Sequence, residues 1–320
     1  MKTYVLITGA SGFIGNALIS RILKENKNFH LILLSRNHQN KLQKENSNIT
    51  WVTGNINDLS LISKILKEYK IKFIYHLAAQ SIIKEYFNNP YMSYIDTVMG
   101  QVSILEAVRL TGIKSIKKIL IITSYKVYGS AVGPFNESTL FDPKSTYETA
   151  KACQDLIAQN YAEVYNLPIN IIRACNIFGP KDNNLDRLIP KTIDLINQNQ
   201  QPEVYNSVRY NKREYIYIDD VIDAILLVTH KAEPGEVYCL SGKIYLSIED
   251  IVVNILTYMN KPNLKYKIIK DNLYIKETNE HRIDNSKLRL LGWEPKTTFV
   301  TGIKKCIKSY NRQFKKTNEH

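Results

Sequence analysis

The sequence predicts an α/β fold, a doubly wound parallel sheet followed by a second region packed on the first. Three observations carry that expectation. Over residues 1–175, short apolar runs alternate with helix-period stretches, the signature of parallel strands joined by crossover helices. The runs are apolar at consecutive positions, as strands covered on both faces are. The first run ends in Thr8-Gly9-Ala10-Ser11-Gly12-Phe13-Ile14-Gly15, a glycine-rich loop that opens a helix.

The elements follow in order. Tyr4–Thr8 reads as a buried strand. Phe13–Lys24 places Ile14, Ala17, Leu18 and Leu23 at helical spacing. Leu31–Leu34 and Thr50–Val52 read as the second and third strands, Leu59–Tyr69 as a helix and Phe73–Leu77 as the fourth strand. Ser93–Arg109 is a long helix, Ile119–Thr123 the fifth strand, Tyr147–Tyr165 another long helix and Ile169–Arg173 the sixth strand. Beyond residue 175 the pattern loosens. Helices at Leu188–Asn197, Val221–Thr229 and Ile248–Met259 alternate with short strands such as Glu214–Ile218 and Val237–Leu240. The division expected is a dinucleotide-binding domain over 1–175, to which some later segments return, and a second region over 176–320. The polar tail Arg312–His320 reads as frayed.

Composition narrows the class. The 320 residues are 44% hydrophobic and 23% charged, enough to bury a core. No apolar run reaches the ~18 residues of a membrane span, and the N-terminus lacks a signal-peptide cleavage site. A cytoplasmic protein without a membrane partner is expected. The net charge is +13, but the lysines are spread along the chain, densest at Lys304, Lys305, Lys308, Lys315 and Lys316. That reads as compositional bias, and no nucleic-acid partner is expected. The 4 cysteines and 6 histidines show no ligand spacing, so no metal is expected.

The glycine loop points to a dinucleotide. Gly9 permits the turn, Gly12 lets the backbone approach a pyrophosphate at the helix start, and Gly15 lets helix and strand pack closely. Ser11, Phe13 and Ile14 complete the loop. Where an NAD site usually carries an acid, the second strand ends in Ser35-Arg36, with Lys41 nearby. A guanidinium there suits a 2′-phosphate, which favours NADP with NAD as the alternative. Asn55-Ile56-Asn57-Asp58 is positioned to edge the adenine. The small residues of Leu77-Ala78-Ala79-Gln80 let a cofactor lie against the backbone, and His76 reads as a packed strand residue.

Tyr147 and Lys151 lie four apart and share a helix face. An ammonium ~4 Å from the phenol at an effective dielectric of ~20 contributes about 4 kcal/mol, or about 3 pKa units, toward the phenolate. Such a phenol can exchange a proton with a sugar or alcohol hydroxyl beside a hydride acceptor. The fifth strand ends at Thr123-Ser124, so Ser124 can bond the reacting oxygen from the opposite side.

Together with His76-Leu77-Ala78-Ala79-Gln80, Ser124-Tyr125-Lys126-Val127-Tyr128-Gly129, Arg173–Pro180, Arg213–Asp220 and Leu291–Pro295, these motifs resemble the extended short-chain dehydrogenase/reductase family, in its nucleotide-sugar epimerase and dehydratase branch. The resemblance covers nearly the whole chain. It implies a Rossmann-like domain and a smaller C-terminal α/β region closing over a nucleotide diphosphate sugar. Ser124, Tyr147 and Lys151 match the family's catalytic positions. Asn176, Arg213 and Arg282 match those holding the diphosphate, and Arg187 to Pro190, with Leu188, match a segment lining the nucleotide. Members usually form homodimers through the two long helices.

Within that branch, dehydratases place an acid/base pair just before the Val-Tyr-Gly triplet. Here Tyr125 and Lys126 stand there, and the usual aspartate is missing. A lysine at that place resembles the CDP-glucose dehydratases and the tyvelose 2-epimerases, and Asp186–Pro190 resembles the former. Thr97 stands where asparagine is usual, and Gln101 is also unusual. The expected activity is epimerisation through transient oxidation of the sugar, commonly at C4, with Tyr147 as base. Alternatives are a 4,6-dehydratase or 4-ketoreductase, and, from another class, a non-catalytic NADP-binding sensor.

Overall fold

The computed structural model describes residues 2–36, 46–112, 114–261, 263–270 and 280–318. Lys41 and the last two residues of the tail lie outside the described residues.

The first half runs β1 (Thr3–Thr8), α1 (Phe13–Glu25), β2 (Phe29–Ser35), β3 (Ile49–Thr53), α2 (Leu59–Glu68), β4 (Ile71–His76), α3 (Ile83–Asn88), α4 (Pro90–Tyr94), a π turn (Ile95–Met99), α5 (Gly100–Thr111), β5 (Lys118–Ser124), a 3-10 turn (Tyr125–Tyr128), α6 (Thr146–Tyr165) and β6 (Ile169–Ala174). The second runs β7 (Asn176–Phe178), α7 (Leu188–Asn197), β8 (Glu203–Tyr205), β9 (Lys212–Tyr217), α8 (Ile218–Lys231), β10 (Val237–Leu240), β11 (Ile244–Ser247), α9 (Ile248–Tyr258), β12 (Lys267–Ile269), β13 (Glu280–His281), α10 (Ser286–Leu290) and α11 (Phe299–Asn318).

Seven parallel strands form the central sheet in the order β10-β6-β5-β4-β1-β2-β3. The doubly wound parallel sheet expected from the sequence is present. Its strands bury both faces: Val5 and Ile7 pack on one side with Leu18 and Ile22 of α1 and Ile225 of α8, while Leu6 packs on the other with Ile62 of α2 and Ile104 of α5. Each buried side chain of this size contributes about 1.5–3 kcal/mol, which is why consecutive apolar runs settle as central strands. β10, from beyond residue 175, forms one edge of the sheet. A second sheet of β11, β9, β13 and β7 lies beyond it.

Two differences from the sequence expectation have physical causes. The long helix predicted over Ser93–Arg109 starts at Pro90, a residue preorganised for a helix N-terminus, and is interrupted by the π turn. α11 runs through Asn318 where a frayed tail was predicted; a buried stripe of Ile303, Cys306, Ile307 and Tyr310 at helical spacing anchors the part of the helix that precedes that tail. No helix among the described residues is long and apolar enough to cross a membrane.

Candidate active site

A cleft of about 240 Å³ opens at the C-terminal ends of β1, β2 and β4. Gly9, Ser11, Gly12, Phe13, Ile14 and Gly15 line it, with Arg36, Asn55, Ile56, Leu77, Ala78 and Ala79. Gly9 has φ +67°, and a Cβ there would stand 2.7 Å from the Ala78 nitrogen. A Cβ on Gly15 would stand 2.4 Å from the Gly9 carbonyl oxygen. The loop can therefore close only with glycine at both places. α1 begins at Gly12 with no side-chain cap and no acid in its first turn, which leaves its N–H groups turned to the cleft for an anion. These features fit the pyrophosphate of a dinucleotide.

The adenosine end differs in detail from the sequence expectation. Arg36 lines the cleft, but its Nη1 donates to Asp96 Oδ2 at 3.0 Å. Asp96, from the π turn, thus brings to this cleft the carboxylate that was missing from the end of β2. Asp58 caps α2 through Leu61 N instead of edging the cleft. His76 is buried, its Nδ1 paired with Thr8 Oγ1 at 2.9 Å, and burial lowers its pKa to about 3, so its ring is neutral.

A larger cavity of about 480 Å³ adjoins the cleft, with Phe13, Leu77, Ala79 and Arg187 lining both. Ser124, Tyr125, Lys126, Tyr147, Lys151, Asn176, Arg187 and Leu188 all line it. The structure thus brings together residues from the end of β5, the first turns of α6, β7 and the start of α7. α6 is fixed at its start by a capping box: Ser145 accepts from Glu148 N, and the Glu148 side chain reaches back. Its middle is fixed by Arg173 of β6, which donates to both oxygens of Asp155 at 2.8 and 2.9 Å.

Tyr147 is hydrogen-bonded to Ser124, and its ring meets Tyr86 edge-on with centroids 5.2 Å apart. Burial pushes the phenol above its ordinary pKa. The Ser124 hydrogen bond and the charges of Arg187 and Lys126 pull the other way. The expectation of a phenol lowered by Lys151 is corrected here: it counted the Coulomb gain and left out the cost of removing a phenolate from water. The Lys151 ammonium is itself turned to Gln154 Oε1 at 2.8 Å, and burial lowers its pKa to about 8.

Tyr125 sits 3% exposed, with Asn176 Nδ2 donating to its hydroxyl at 3.3 Å and His281 Nδ1 3.2 Å from it. Lys126 lies over the Tyr125 ring. Arg213 and Arg282 do not line the cavity: Arg213 is buried beside β13 and donates to the Lys212 carbonyl, and Arg282 stacks on Tyr245. Arg187 pairs with Asp182 at 2.9 Å, which holds it at the junction of cleft and cavity.

Sequence reasoning missed Asp96, Gln154, Asp182 and His281. Gln154 left a readable signal, since it lies one helical turn after Lys151. Asp182 lies five residues before its partner Arg187, while Asp96 and His281 are brought in by tertiary contacts that no local pattern announces.

A family model described as GDP-mannose 4,6 dehydratase matches residues 6–306. The trifunctional UDP-glucose 4,6-dehydratase/UDP-4-keto-6-deoxy-D-glucose 3,5-epimerase/UDP-4-keto-L-rhamnose-reductase of Arabidopsis thaliana is 29% identical over 96% of the chain, which spans 47% of that protein, about half its length. The dTDP-D-glucose 4,6-dehydratase of Homo sapiens is 27% identical over 97% of the chain and 90% of that protein. Among solved structures, the dTDP-glucose 4,6-dehydratase of Bacillus anthracis in complex with NAD is similar with a TM-score of 0.87 and 27% identity, covering 98% of both chains. The UDP-glucuronic acid 4-epimerase of Bacillus cereus shares the fold, with a TM-score of 0.88 and 24% identity over 97% of this chain and 100% of that one.

Proposed function

The chain belongs to the GDP-mannose 4,6 dehydratase family, within the nucleotide-sugar branch of the extended short-chain dehydrogenases/reductases, and from that premise we propose that it is a nucleotide-sugar epimerase working through transient oxidation of the sugar, commonly at C4. The coarser class, an enzyme of the nucleotide-sugar dehydratase and epimerase kind using a nicotinamide cofactor, follows from the family and its relatives. The observation that carries the proposal is the meeting of Ser124, Tyr147 and Lys151 in one cavity that adjoins a dinucleotide-shaped cleft.

A bound nicotinamide dinucleotide supplies the hydride acceptor. Tyr147 Oη takes the proton of the sugar hydroxyl and later returns it. Ser124 bonds the same oxygen. The cations of Lys151, Lys126 and Arg187 offset the cost of a buried phenolate. Asn176 and Arg187 are suited to the diphosphate and Leu188 to the nucleotide. The 1–175 portion, completed by β10, is taken as the dinucleotide half and the remainder as the nucleotide-sugar half. Exposed Leu110 on α5, with Leu156 and Val164 on α6, supports a homodimer through the two long helices.

Epimerisation is preferred to dehydration because Tyr125, not a carboxylate, stands before the Val-Tyr-Gly triplet. Asp182 in the cavity wall is engaged by Arg187. A 4,6-dehydratase is the second reading, favoured by the hydrogen-bonded Tyr125 hydroxyl, a proton donor within the cavity. For the cofactor, Arg36 supports NADP, while Asp96 beside it supports NAD. The test is incubation with UDP-, GDP-, CDP- and dTDP-sugars followed by mass analysis. A stereoisomer of unchanged mass is expected; loss of one water from the product would establish dehydration instead.

A further inference from the structure

Gln154 has no part in the chemistry described so far, yet it is one of the most constrained side chains near the site. It is 1% exposed and both ends of its amide are used: Nε2 donates to the Thr97 carbonyl at 3.1 Å, and Oε1 accepts from Lys151 Nζ at 2.8 Å. Its backbone carbonyl accepts from Gln101 Nε2 at 2.6 Å, and Gln101 is fully buried. Thr97 lies in the π turn, where the helical ladder is offset by one residue. Its hydroxyl accepts from Gln80 N at 3.1 Å and bonds the Tyr86 hydroxyl, whose ring seats Tyr147. One turn of chain therefore supports both members of the Tyr147–Lys151 pair.

We propose that Gln154 is the positioning residue for Lys151, its amide pinned by the Thr97 turn so that Oε1 holds the amine against the cavity wall. This rests on the oxidation proposed above, in which Lys151 serves as a cation. Among the described residues Gln154 Oε1 is the one hydrogen-bond partner of that amine. Two nearby carboxylates are engaged elsewhere, Asp155 with Arg173 and Asp182 with Arg187. Other titratable groups around it or lining its cavity are His76 from β4, Lys84 and Tyr86 from α3, Tyr125 and Lys126 from the turn after β5, Glu148 and Tyr147 on its own helix, Cys175 after β6, and Asp186 and Arg187 before α7. Burial disfavours the ammonium, and the neutral acceptor at hydrogen-bond distance favours the charged form against it. The couple also explains two sequence oddities together: Thr97 and Gln101 are the two residues that fix Gln154.

The experiment is a pH titration of the Lys151 Cε resonance in the apo protein labelled with 13C-lysine, assigned by its loss in Lys151→Arg. Gln154→Leu should lower the midpoint by about one to two pH units. Gln154→Glu, which keeps an acceptor and adds a charge, should raise it. The alkaline limb of kcat should move in the same two directions, with KM little changed. Midpoints that stay at the wild-type value, or that move in the same direction in both variants, would overturn the proposal. Should Gln154→Leu fail to fold, Gln154→Glu decides alone: an unmoved or lowered midpoint refutes it. Failure of every nucleotide sugar to turn over would retire the proposed oxidation while leaving this titration readable.

Discussion

Arg173→Met is expected to destabilise the protein by loosening the helix that carries Tyr147 and Lys151. Arg173 and Asp155 have side chains only 3% and 0% exposed, joined by two parallel hydrogen bonds. Removing the guanidinium leaves the carboxylate with the Thr123 hydroxyl and the Gln159 amide, and deprives the Tyr128 hydroxyl and the Glu137 carbonyl of their donor. Stranding a buried charge in this way costs about 3–5 kcal/mol. An unfolding entropy of about 2.1 cal/mol/K per residue converts this, over 320 residues, to a fall in Tm of roughly 4–7 °C. Differential scanning calorimetry reads the shift directly. The double variant Arg173→Met with Asp155→Leu removes both charges and should recover much of the loss. A single variant melting no lower than wild type, or a double variant melting no higher than the single, would refute the reasoning.

Two further outcomes follow from the site. Arg36→Asp should weaken NADP more than NAD, since it sets a second carboxylate beside Asp96; an unchanged ratio of the two affinities by titration calorimetry would remove Arg36 from cofactor discrimination. Turnover that needs the Lys151 ammonium should fall as pH rises through about 8 in a profile of kcat. The sign for stability is opposite: burial lowers the folded-state value, so between about pH 8 and ~10.4 the unfolded chain holds the extra proton and the contribution of this group to stability rises with pH.

The strands of the central sheet were legible because burial on both faces leaves a run such as Val5-Leu6-Ile7 no polar position to hide it. The glycine loop and the Tyr147–Lys151 spacing were legible because each is a local geometric demand. The strands of the second sheet were not, apart from β9: β7, β11 and β13 are four residues or fewer, too short to show a period, and they exist through pairing with β9. The same holds for the site's long-range partners. His281 reaches Tyr125 across 156 positions and Asp96 reaches Arg36 across 60. The Tyr147 pKa was misjudged for a related reason, since spacing reveals a neighbouring charge but not how much water the fold removes.

The measurement that bears most directly on the account is the absorbance of reduced nicotinamide in a single turnover, with cofactor-loaded enzyme mixed against its nucleotide sugar. The wild type should show a transient reduced cofactor. Tyr147→Phe should bind cofactor equally well and show none. A transient of the same rate and amplitude in that variant would remove the phenol from the chemistry and the account with it.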